Sequence, residues 1–239
     1  GSSLGIVWAF AQPLVTITIY WFVFQIGLRS VAPGQYGDMP FLVWIMCGLI
    51  PWFFFSDGIN SVTSVFLEYS YLVKKVVFDI NILPVIKIIS AMFVHIFFIF
   101  LIFIVMALFG YMPSICYIQA FYYSFCMICL ILAIGYFTSS LSVFFRDLPQ
   151  FVQVCLSAGM WLTPIMWAFD MLQGYWFSFI FKLNPMFYVV EGYRSAILGH
   201  QWLFSNWKLT IYFWCVVVLL TLIGRNVFKK MKPHFADVL

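Results

Sequence analysis

Six long apolar runs decide what this chain can become. They lie at roughly 5–28, 40–67, 84–109, 118–144, 150–169 and 207–227. A helix crosses the hydrocarbon of a bilayer with about 20 apolar residues. Lipid offers no partner to an open backbone group, so each run is read as a helix. Composition agrees: 65% of residues are hydrophobic and 8% charged, against about 45–50% and 25% in soluble domains. The expectation is one all-α integral membrane domain over residues 1–239, with six transmembrane helices.

The connections are short, and no internal repeat or soluble domain is visible. The net charge of +4 is spread over loops and tail, which gives no nucleic-acid footprint. Of the cysteines, Cys126 and Cys129 form a C-x-x-C inside a run. With no second pair or nearby His they read as helix-packing residues, not a metal or redox site. No cleavable signal peptide is seen, and the abrupt opening "GSSLG" suggests a missing N-terminal piece.

Segment 170–206 departs from the pattern. It holds "YWFSFIFKL" and "MFYVVEGYRSAIL", separated by Asn184-Pro185. Each is too short to span and too apolar for a plain loop. Proline lacks an N–H and breaks the helix before it. Two short helices that dip into the membrane face and return are expected; a hairpin lying flat among headgroups is the alternative. Glu191 and Arg194 stand three apart, so a helix puts them on one face as an ion pair at the external mouth.

Basic residues orient the chain. One set of connections carries Lys74, Lys75, Lys87, Arg146, Arg225, Lys229, Lys230 and Lys232, and the other Arg29, Lys182, Arg194 and Lys208. The richer set, with both termini, is assigned to the cytoplasm. There "FFRDLPQ" reads as a tight elbow. Arg146 suits the negative end of a helix. Asp147 with Gln150 matches an N-cap and capping box, with Pro149 in the first turn. Residues 67–84, "LEYSYLVKKVVFDINILP", mix Glu68, Lys74, Lys75 and Asp79 with Tyr69, Tyr71, Leu72, Val76 and Phe78. That mixture reads as a short amphipathic helix for a lipid surface or a partner's groove.

Inside the runs, Asp57 is followed by Asn60, Ser61, Thr63 and Ser64. A charge within a span is costly and faces water or protein, so this tract lines a cavity or packs in the bundle core. His95 stands alone and reads as an interhelical hydrogen-bonding residue. Pro13, Pro51 and Pro164 can each bend a span. Trp8, Phe10, Tyr20 and Phe24 on the first run, Trp52 and Phe53 on the second, and Trp161 and Trp167 on the fifth are lipid contacts or a surface on which sugar rings stack. No P-loop, H-E-x-x-H or G-x-S-x-G is present.

Several stretches together resemble the membrane subunit of type-2 ABC exporters, in the branch that moves polysaccharides and polyol phosphates. They are "SSLGIVWAFAQPLVTITIYWFVF", "YLVKKVVFDINILP", "FFRDLPQFVQVCLSAGMWLTPIMW", "LNPMFYVVEGYRSAIL" and the tail "FKKMKPHFADVL". The elbow and tail look most like teichoic-acid translocation permeases, with O-antigen and capsule permeases as near relatives.

The resemblance implies a homodimer in the bacterial plasma membrane with two ATP-binding subunits. ATP and Mg would reside in those subunits, and this chain would bind no cofactor and catalyse no covalent step. Residues 68–79 would form the coupling helix, contacting the ATPase through Glu68, Tyr69, Tyr71, Lys74, Lys75 and Asp79. Arg146 and Asp147 would add a second contact. Residues 171–199 would form the external gate, with Asn184, Pro185, Tyr188, Glu191 and Arg194. The first and fifth spans would border a lateral opening for an undecaprenyl-pyrophosphate-type polymer. Its path would run by Trp8, Phe10, Tyr20, Phe24, Trp52, Phe53, Asp57, Trp161 and Trp167. A secondary transporter of a small solute, which would show matched halves, and a membrane-embedded glycosyl- or acyltransferase are the alternatives.

Overall fold

The second run, apolar all round its helix as far as Phe55, becomes the pillar that the others surround. The structure, a computed structural model, describes residues 5–37, 39–74, 79–112, 114–172 and 174–238. Helix α1 (Gly5–Trp21) continues into a π-helical stretch, Phe22–Gly27. Then follow α2 (Phe41–Thr63), the short α3 (Val65–Glu68) and α4 (Ser70–Val73), and α5 (Ile82–Leu108). Helices α6 (Gln119–Phe144) and α7 (Leu148–Leu162) lead to the short α8 (Ser178–Lys182) and α9 (Pro185–Ile197). The chain closes with α10 (Trp207–Met231) and α11 (Phe235–Val238). Among the described residues there is no strand.

Among the described residues, five helical stretches are long and apolar enough to cross a membrane: Val7–Gly27, Phe41–Thr63, Ile82–Leu108, Ile115–Phe144 and Leu203–His234. In its most apolar window α2 is 78% buried inside the chain, whereas the first stretch is 6% buried. The part before Ser56 is apolar on every side and belongs inside, and α2 packs on α1, α5, α6, α7 and α9. Small residues let α6 approach closely. A Cβ at Gly135 would lie 2.4 Å from Val62 Cγ1. Beyond it, the hydroxyls of Thr63 and Thr138 lie 2.8 Å apart, and Ser142 Oγ donates to Thr63 O at 2.7 Å. Close backbones joined by hydroxyls are the usual glue between spans.

The expected fifth span, 150–169, is shorter than its sequence suggested. Helix α7 has 15 residues, about 22 Å at 1.5 Å per residue. It stops because Thr163, before Pro164, is extended (φ −91°, ψ 135°), as a residue before proline prefers. Pro13 and Pro51, by contrast, sit within continuous helices.

Two further expectations are corrected. Asp147 has helical backbone angles and its side chain caps nothing. The elbow is instead closed by backbone bonds, Leu148 N–H to Phe145 O at 3.0 Å and Phe151 N–H to Asp147 O at 3.1 Å. The single helix expected over 68–79 is broken at Tyr69 (φ −105°, ψ 31°), leaving α3 and α4 as separate turns. Lys75, Val76 and Phe78 lie outside the described residues. The break at Asn184-Pro185 falls where expected. Asn184 Oδ1 accepts from Met186 N–H at 3.0 Å, and Pro185 opens α9. Helix α9 does not lie on the outside of the bundle; it packs against α2 and α6 with most of its residues buried.

Candidate transport groove and coupling end

Four helices each turn one face toward a common groove of about 390 Å³, within the roughly 300–1,000 Å³ typical of small-molecule clefts. From α1 come Ala9, Gln12, Pro13 and Thr16; from α7 come Gln153, Leu156, Ser157 and Met160. The main stripe of α2 is Phe53, Ser56, Asp57 and Asn60, and α5 adds Ala91, Val94, His95 and Phe98. Every set has the spacing i, i+3, i+4, i+7, which is one helical face. Polar side chains inside apolar spans were thus placed by register to meet one another. Pro13 has no N–H to give the Ala9 carbonyl.

Of the residues expected along the path, Trp52, Phe53 and Asp57 line this groove. Trp52 is buried, and Gly159 lets α7 cross it: a Cβ there would lie 3.1 Å from the indole. The others are elsewhere. Trp8 and Trp161 face outward. Phe10 packs edge-on to Phe97 at 4.9 Å. Tyr20, near the end of α1, packs on Phe24 of the π-helical stretch, which in turn meets Phe41. Trp167 donates to Trp161 O at 3.0 Å and packs on Phe181. The groove is therefore mixed, with polar side chains set among apolar and aromatic ones. His95 holds Ser124 and Tyr193 through Nε2, each at 3.0 Å, and stacks on Phe54 at 4.5 Å. That is the interhelical role its sequence setting suggested.

At one end of the groove's wall lies the break in α7. Arg194 reaches into it from α9, with Nη1 donating to Pro164 O and Nη2 to Ile165 O, both at 2.6 Å. Its Nη1 also pairs with Glu191 at 3.0 Å. The ion pair expected from spacing is present, but Arg194 is 1% exposed, not a surface residue. Asn184 Nδ2 donates to Thr163 Oγ1 at 2.8 Å, a second tie from the hairpin to the break. Tyr188 links α9 outward, its hydroxyl 3.2 Å from that of Tyr122 and 3.1 Å from Thr210 Oγ1.

The other end of the bundle gathers the segments expected to meet a partner. Val65, Phe66, Ile80, Leu83, Val143, Phe228 and Phe235 form a second apolar cluster. It brings α3, the elbow after α6 and the C-terminal tail to one end. On its surface Lys87 pairs with Glu68 at 2.6 Å and lies 5.1 Å above the Tyr69 ring. Partial burial works to raise the Glu68 carboxyl; hydrogen bonds from Lys87 and Ser64 outweigh it and hold the group below its ordinary 4.5. Tyr71, Lys74, Arg146 and Asp147 are exposed, and Asp79 lies 3.6 Å from Lys232.

Apolar spans packed about α2, with a partly polar groove and an exposed charged end, define an integral membrane protein. The chain belongs to the ABC-2 type transporter family, whose profile matches residues 1–198. Over its whole length it is 29% identical to an O-antigen export system permease protein RfbA of Klebsiella pneumoniae, covering 88% of that protein. It is 23% identical to the protein of that name from Myxococcus xanthus, over 99% of this chain and 88% of the relative. Membership implies a transport subunit in the membrane that works with a separate ATP-binding subunit.

Proposed function

We propose that this chain is the permease of an ATP-driven exporter that moves a lipid-linked polysaccharide across the bacterial plasma membrane, from the cytoplasmic to the external side. The groove between α1 and α7 carries the proposal. A row of hydrogen-bonding side chains on a bilayer-facing bundle is costly unless something polar uses it. The names of the relatives support O-antigen-type cargo; the elbow and tail, by their likeness, point to teichoic acid as the other polymer to test.

The working unit is two copies of this chain with two ATP-binding subunits that hold ATP and Mg. Both termini lie in the cytoplasm, with the Glu68–Asp79 segment and the Arg146-Asp147 elbow presented to the ATPase. Closure of the ATPase pushes α3 and the elbow, which the Phe66 cluster ties to α5, α6 and α10. Helices α1 and α7, the least buried of the long elements, move against the α2 pillar and widen the groove. Hydroxyls of the glycan exchange among Gln12, Asn60, Gln153 and Ser157, while the 171–199 hairpin acts as the external gate through Arg194.

The test is co-purification with the ATP-binding partner, followed by ATP-dependent movement of defined lipid-linked glycans in vesicles. Filling the groove with Gln153→Trp is expected to abolish transport while the complex still assembles. Unimpeded transport in that assembled variant would reject the groove as the path.

A further inference from the structure

We infer that this groove favours neutral, hydroxyl-rich glycans over phosphate-bearing polymers, and that Asp57 sets the preference. The inference rests on the functional reading above and sharpens its substrate class. Among the described residues lining the groove, Asp57 is the only charged one. No hydrogen bond or ion pair to its carboxylate occurs among the described residues, and the cation whose charge reaches it, Lys87, is held by Glu68 at 2.6 Å.

The hydroxyls point the same way. Thr16 donates its proton to Gln12 O at 2.9 Å, and Ser157 donates to Gln153 O at 2.9 Å. Both therefore offer lone pairs, beside the Asp57 oxygens. The carboxamides of Gln12, Asn60 and Gln153 donate as well as accept, whereas Asp57 takes donors alone. A sugar hydroxyl donates and accepts, whereas an ionised phosphodiester only accepts. Like charges repel, and among the described residues no partner offsets the charge of Asp57. A pyrophosphate head meets Asp57 once per polymer. A polyol-phosphate chain brings a negative charge past it with every repeat.

The experiment uses the full complex in vesicles with two synthetic substrates of equal length and identical lipid-pyrophosphate head. One has neutral sugar repeats; the other carries a phosphodiester in each repeat. The wild type is expected to export the neutral one faster by about tenfold, the ratio that corresponds to 1.4 kcal/mol. Asp57→Asn should shrink that ratio, and Asp57→Lys should turn it toward the phosphate-bearing substrate. Equal export by the wild type, or a preference for the phosphate-bearing chain, overturns the inference whatever the variants do. A neutral preference that survives in both variants removes Asp57 as its source. Gln153→Trp separates the two levels. If it blocks both substrates while the ratio ignores Asp57, the inference alone fails; if it blocks neither, the groove is not the path and the functional reading fails too.

Discussion

The Arg194 guanidinium carbon lies 4.0 Å from the ring centroid of Trp44, stacked on the indole while its nitrogens bind carbonyls of another segment. One side chain thus joins the pillar α2, the broken end of α7 and the hairpin helix α9. Gly48 makes room for it: a Cβ there would lie 3.2 Å from Nη2. A planar fork that stacks and donates in two directions is an arginine property that lysine lacks.

Arg194→Ala is therefore expected to destabilise the solubilised protein by about 3–5 kcal/mol, because two buried carbonyls lose their donors and Glu191 its partner. Arg194→Lys should recover only part, and Glu191→Gln should cost about 1 kcal/mol, since the guanidinium keeps its carbonyls. Thermal unfolding in detergent measures the order. A lysine variant as stable as the wild type would show that charge alone matters here.

The C-terminal tail should act as a strut for the coupling end. Phe235 is buried among Phe66, Phe228 and Phe144, with ring centroids 5.3, 5.9 and 6.1 Å away. Lys232 adds Asp79 and, at 3.4 Å, Asn81 Oδ1. Phe235→Ala removes a large buried ring, worth about 3–5 kcal/mol locally. The expected result is a tail opened to protease and weaker stimulation of the partner ATPase, with normal membrane insertion. Phe235→Leu should restore much of both. Full ATPase stimulation with a detached tail would separate the strut from coupling.

The Glu68–Lys87 pair gives a pH signature. The Glu68 carboxyl is held below 4.5 in the folded chain. Its contribution is thus present above that value and fades as pH falls through the lowered one. Glu68 is exposed, so the pair is worth about 0.2–1 kcal/mol. Glu68→Gln should be slightly less stable than the wild type at neutral pH, and the difference should vanish in strong acid. A difference that grows on acidification would reverse the sign and refute the assignment.

How far the sequence carried is clear from particular residues. Runs such as 84–109 read directly as helices because lipid tolerates little else, and Asn184-Pro185 marked its break because proline cannot continue a ladder. The groove was only half legible. Asp57 and Asn60 are singled out by their polarity inside a span, but Gln12, Thr16, Gln153 and Ser157 come together with them only once packing fixes the rotation of four helices. Their shared i, i+3, i+4, i+7 spacing was the available signal. Trp8 and Trp161 fall outside the groove, since aromatic character does not say which side of a helix faces in. Arg194 resembled a surface ion pair because its main partners, Pro164 and Ile165, are distant in the chain. Asp147 matched a capping pattern, yet its helical backbone takes the carboxylate away from the N–H groups it would cap.

Tyr193 offers a final test, through a count of protons. Ser124 donates its only hydroxyl proton to Ala120 O at 2.8 Å. Tyr193 then donates to Ser124 Oγ at 2.7 Å, which assigns the proton of His95 to Nε2, shared between the two oxygens at 3.0 Å. Tyr193→Phe removes the donor to Ser124 and one acceptor of His95, both buried, for about 1–3 kcal/mol. Ser124→Ala breaks the same network from the other side, so the two changes should be less than additive in the double variant. Unfolding of the two single variants and the pair in detergent measures the coupling, and strict additivity would mean that the three groups do not act as one network.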